Sequence, residues 1–137
     1  MFIVTRRATV LVPSGTPERP DLKHLYILLN DPSGKEKLVL IVSISTVYPD
    51  RYYDPTCLLW AGDHSFIRTK SFVMYSMARL ETVKTLENGV AKRELVPKEP
   101  MSAEVFARIC QGVLDSKRTP AGLKQFFKPI WDKYKSP

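Results

Sequence analysis

Ten consecutive residues, Gly62-Asp63-His64-Ser65-Phe66-Ile67-Arg68-Thr69-Lys70-Ser71, hold one imidazole, two cations and three hydroxyls. Cleaving an RNA phosphodiester takes a base for the 2′-hydroxyl, an acid for the leaving oxygen and cations for the charge that builds on phosphorus. His64 with Arg68 or Lys70 can supply these, which makes His64 a catalytic candidate and Asp63, Arg68, Lys70 and Ser71 its substrate-binding neighbours. The same residues also suit a purely structural loop. Asp63 would then accept backbone N–H bonds, His64 would bond a carbonyl, and the two cations would be solvated.

A second set lies at the ends of two apolar runs. Lys23 and His24 precede the first run, and Ser43, Ser45 and Thr46 close the second. With a turn near Ser33-Gly34, antiparallel pairing brings Lys23 and Ser45 to the same open end, where a cation beside a hydroxyl forms a minimal phosphate site and His24 adds an imidazole. Metal chemistry has no such support: Cys57, Asp63 and His64 lie near one another, but no Cys-x-x-Cys or His-x-x-x-His spacing occurs. No nucleophile elbow, Walker loop or dinucleotide fingerprint is present either, and no metal or cofactor is expected.

The elements that must position these groups read as follows. Residues 8–12 form a β-branched strand that runs into a loop with prolines at 13, 17 and 20. Residues 24–29 and 38–44, separated by the turn formers of 30–37, read as a hairpin buried on both faces. Residues 48–55 form an exposed stretch, 56–60 a short strand, 61–71 a loop, and 72–80 a further strand. Between Thr82 and Glu94, Asn88-Gly89 favours a hairpin, but that register sets Lys84 against Arg93, so a helix ending near Gly89 is expected. Ser102 caps a helix carrying Phe106, Ile109, Cys110, Val113 and Leu114, with Gln111-Gly112 on its other side. Thr119-Pro120 starts a second helix bearing Leu123, Phe126 and Phe127, which Pro129 ends. Strands first and helices last predict one α+β domain over 1–137, with a sheet core over 8–80, a helical part over 81–137, and the helices on one side of a curled sheet.

Composition bounds the function. The chain has 137 residues, and 21 basic against 14 acidic side chains give a net charge of +7, a field that favours polyanions. No apolar run approaches the length that crosses a bilayer. The basic pair Arg6-Arg7 follows the first apolar residues, the wrong order for a signal peptide, so a cytoplasmic protein with Cys57 and Cys110 as reduced core thiols is expected.

The run Lys23-His24-Leu25-Tyr26-Ile27-Leu28-Leu29-Asn30-Asp31, a turn, then Leu38-Val39-Leu40-Ile41-Val42-Ser43-Ile44-Ser45 resembles the central strands of the PemK/MazF-like toxins, over roughly residues 8–80. The block Gly62-Asp63-His64-Ser65-Phe66-Ile67 with Ser71-Phe72-Val73 and Pro100-Met101-Ser102 resembles a branch near them. The resemblance implies an SH3-like β-barrel of short, mostly antiparallel strands that binds and cleaves single-stranded RNA, with Lys23 and Ser45 as the matching catalytic pair. It also implies a homodimer and an acidic antitoxin partner in a toxin–antitoxin system. Bases would stack on Tyr52, Tyr53 or Trp60, although Trp60 also suits a core. Where the family has Arg-Pro this chain has Lys23-His24, and Ser45 stands where Thr is commoner. Lysine lacks arginine's bidentate fork. That motivates a second expectation, a catalytically inactive barrel that holds an acidic protein segment. Phe126, Phe127, Ile130 and Trp131 would provide either a dimer contact or a seal on the open end of the barrel.

Overall fold

The computed structural model describes residues 1–13 and 23–136. The loop expected after Pro13 lies outside them. The strands are β1 (Thr9–Pro13), β2 (Lys23–Leu28), β3 (Leu38–Thr46), β4 (Leu58–Leu59), β5 (Ser71–Thr82) and β6 (Val96–Lys98). The helices are α1 (Val83–Ala91), α2 (Ala103–Asp115) and α3 (Ala121–Tyr134). The fold is α+β: every pairing is antiparallel, and the strands form one curled half-barrel sheet in the order β4-β5-β3-β2-β1-β6.

The apolar runs of β2 and β3 are continuous because both faces of these strands are covered. Leu25, Ile27, Leu40, Val42 and Ile44 face a core completed by Val105, Phe106, Ile109 and Val113 of α2 and Phe127 and Trp131 of α3. The alternate residues Leu28, Val39 and Ile41 face the other way, against Val4, Ala8 and Leu86 of α1. The C-terminal helices α2 and α3 thus share one side of the sheet, while α1 covers the other, because a hairpin apolar on both faces needs a cover on each. The segment after residue 80 also contributes a strand, since β6 extends the sheet along β1.

Three local expectations are corrected. Pro129 lies inside α3, where it removes the donor for the Gln125 carbonyl; both residues are exposed, so water can serve that carbonyl while Phe127 and Trp131 anchor the helix on either side. Thr119 does not cap α3. Pro120 occupies the cap position, and the buried Thr119 Oγ1 has no hydrogen-bond partner. Gly112 faces the core rather than solvent, packed against the ring of Tyr75. By contrast, the Ser102 cap is as read, its hydroxyl accepting from the Val105 N–H at 3.3 Å. Phe126 and Ile130 pack beside the buried Phe127 and Trp131, so this apolar set is used within the chain.

Among the described residues, no helix is long and apolar enough to cross a membrane.

Candidate functional site

The pairing of β3 with β5 decides where the loops meet. Ser45 pairs with Phe72 and Thr46 with Ser71, so the chain leaving β3 and the chain entering β5 lie at one end of the sheet. β2 begins at that same end, because Leu25 pairs with Ile44. The start of β2 and the end of β3 thus lie at the same end of the sheet, as expected.

Between these strand ends and the loops lies a cleft of about 720 Å³. Its cations are Lys23, Arg51 and Arg68, its hydroxyls include Ser45, Thr46 and Thr69, and its rings are Tyr48, Tyr52, Tyr53, Phe66 and Phe72. No described lining residue is acidic. The cations stand close to rings: the Arg51 guanidinium is 5.1 Å from the Tyr48 ring centre, and that of Arg118, just outside, is 4.2 Å from the Tyr52 ring centre. His24 lines the cleft half-buried, and burial lowers its pKa below the ordinary histidine value.

The Gly62–Ser71 block is divided by the fold. Arg68, Thr69 and Ser71 line the cleft, with Ser71 buried and its hydroxyl donating to the Thr69 carbonyl at 2.9 Å. Lys70 stands behind Tyr53, its Nζ 3.5 Å from the Tyr53 hydroxyl. Asp63 turns away and closes a tight turn: its carboxylate accepts from the Trp60 N–H at 2.8 Å and from Arg108 at 3.3 Å. His64 is not at the mouth of a concave surface as expected. It is buried, its Nδ1 accepts from the Phe66 N–H at 3.1 Å, and its Nε2 lies 2.8 Å from the Glu99 carbonyl. These bonds fix the Nε2–H tautomer and use both ring nitrogens, so the imidazole ties the loop to the segment that follows β6.

Arg51 and Tyr48 were not singled out from the sequence. The available signal was three tyrosines and one arginine in the six residues 48–53, too aromatic for a solvated connection. That stretch is anchored by Asp54, a buried carboxylate that accepts from the Thr56 N–H at 2.9 Å and from the Ser116 hydroxyl at 2.6 Å. Burial pushes the Asp54 carboxyl up, but the bonds from Ser116 and Thr56 and the charge of Arg118 outweigh it, and the group sits below the ordinary carboxylate range. A carboxyl depressed in the folded state contributes stability that is present at neutral pH and lost as pH falls through its folded value. Asp54→Asn is therefore expected to lower stability by about 2 kcal/mol at pH 7 and to flatten the acid limb of the stability profile. Urea unfolding across a pH series checks both.

A second recess, of about 350 Å³, lies between α1 and the sheet, and the two side chains from β5 that border it, Arg79 and Glu81, pair with each other at 3.0 Å. Among the described residues, no group of three or more His, Cys, Asp or Glu side chains is placed to hold a metal ion. Compared with known proteins, the chain matches no family model, no curated protein and no solved structure.

Proposed function

We propose that the cleft binds a segment of single-stranded RNA, and that the curled sheet is a form of the toxin-like SH3 barrel that the sequence resemblance implies. The observation that carries this reading is the composition of one concave surface: three cations and several exposed rings with no described carboxylate among them. Phosphates need the cations, and unpaired bases need ring faces on which to stack. The hydroxyls of Ser45, Thr46 and Thr69 suit the 2′-hydroxyls that distinguish RNA from DNA. An acidic protein segment would use the cations alone and leave the rings without a role.

His24 favours a second, further reading in which the bound strand is also cut. Burial shifts this imidazole toward its neutral form, which suits it to take the proton of a 2′-hydroxyl as that oxygen attacks phosphorus, while Lys23 and Arg68 stabilise the charge there and the 5′-oxygen leaves with a proton from water. The Lys23 and Ser45 pair stays in this site as substrate-orienting groups, and His64 leaves it.

One experiment addresses both. A labelled oligoribonucleotide of about ten nucleotides is titrated with the protein alongside its own duplex and an acidic peptide, with chelator present. Single-strand binding at least about tenfold tighter than duplex binding is expected, since paired bases cannot offer their faces to the rings. Equal affinity for all three ligands would contradict the proposal. Shortened products ending in 2′,3′-cyclic phosphate would support cleavage, and intact RNA would leave binding alone.

A further inference from the structure

Tyr53 forms one wall of the cleft, and on its far side Lys70 lies between two rings. The Lys70 Nζ is 5.6 Å from the Tyr53 ring centre and 5.4 Å from that of Trp60. Trp60 does not line the cleft, yet 51% of it is exposed. Its position is nonetheless fixed. The Asp63 N–H donates back to the Trp60 carbonyl at 3.0 Å, Gly62 supplies the left-handed φ of 99° that the turn needs, and Arg108 holds and neutralises the Asp63 carboxylate. A large ring presented to solvent by a closed turn, beside an ammonium that also contacts the wall of a basic aromatic cleft, is a preorganised stacking platform.

We infer that the bound strand leaves the cleft over Tyr53 and continues onto Trp60, which stacks a second, outer base while Lys70 takes the phosphate between them. The inference rests on the cleft being an RNA site and extends it with an outer subsite. The charge pattern favours a polyanion carrying planar groups: Asp63, which closes the turn, is already paired with Arg108, whereas the Lys70 ammonium has rings and a phenol around it and no described carboxylate partner.

Intrinsic fluorescence tests this directly because the chain has two tryptophans. Trp131 is 7% exposed and packed edge-on against Phe106, so its emission forms a steady background and reports the fold. The protein is titrated with oligouridylates of about three and about ten nucleotides, with binding followed independently by displacement of a labelled strand. Both should bind. Only the longer one should quench Trp60, and Trp60→Ala should weaken the longer one about tenfold while leaving the shorter one unchanged. Lys70→Ala should lower the salt dependence of the longer one alone. If the longer oligonucleotide binds without quenching and Trp60→Ala binds each strand as tightly as the wild type does, the outer subsite does not exist and the cleft reading stands. If neither oligonucleotide binds, the cleft reading itself fails. Equal quenching by an acidic peptide of matched charge would overturn the assignment to a nucleic acid.

Discussion

Gly112→Ala is expected to lower the stability of the protein by about 3 kcal/mol, a large loss for the addition of one methyl group. A Cβ at this position would lie 2.6 Å from Cζ of the Tyr75 ring and closer still to its hydroxyl oxygen. Tyr75 cannot retreat. It is fully buried in β5, and its hydroxyl donates to the Ile109 carbonyl of α2 at 2.7 Å. Burial also pushes the phenol well above its ordinary pKa, so it remains a donor. The added methyl must therefore either force α2 off the sheet or break the phenol's hydrogen bond inside the core, and each outcome is costly. Tyr75→Phe alone should cost about 1 kcal/mol for the lost bond. Combined with Gly112→Ala it should recover only part of the loss, because the ring carbon still stands in the way. Urea unfolding of the two single variants and the double variant gives the coupling; a Gly112→Ala loss under about 0.5 kcal/mol would show that α2 tolerates displacement from β5.

The second large effect concerns the cleft. Replacing Lys23, Arg51 and Arg68 together by alanine is expected to reduce affinity for single-stranded RNA about a hundredfold at roughly 0.1 M salt, with stability changed by less than about 0.5 kcal/mol. The three side chains belong to exposed residues, and none has a described carboxylate partner, so their removal leaves no buried charge behind. They come from three places that the fold brings together: the start of β2, the loop after β3 and the loop before β5. Each single replacement should lose a share of the binding and reduce the salt dependence. Binding assays on the three single variants and the triple variant check this, and a triple variant that binds like the wild type would place the phosphates elsewhere.

What could be read from the sequence follows from how local the physics was. The β2–β3 hairpin was legible because its two apolar runs and the turn cluster between them carry the pairing signal within about twenty residues. Ser102 was legible as a cap because its partner, Val105, is three residues away. The fate of His64 was not local. The Glu99 carbonyl that engages it is 35 residues away, so its residue type alone could not separate a buried strut from a proton carrier. Gly112 likewise takes its meaning from Tyr75, on another element. Trp60 was open to two readings, stacking ring or core, because hydrophobicity alone does not separate them; the turn closed by Asp63 and Arg108 presents it to solvent. β6 spans three residues and includes Pro97, too short and too atypical to carry a strand pattern; only its pairing with β1 defines it.

The central claim is that a three-cation, ring-lined cleft takes the phosphates and bases of a single strand. Its most direct test is the dependence of single-stranded RNA affinity on salt concentration, measured for the wild type and for the triple Lys23, Arg51 and Arg68 variant. For a strand too short to reach Lys70, three phosphate contacts predict a slope of log K against log salt near about −2 for the wild type, falling close to zero in the variant. A wild-type affinity that does not change with salt, or a slope that survives in the triple variant, would contradict the account.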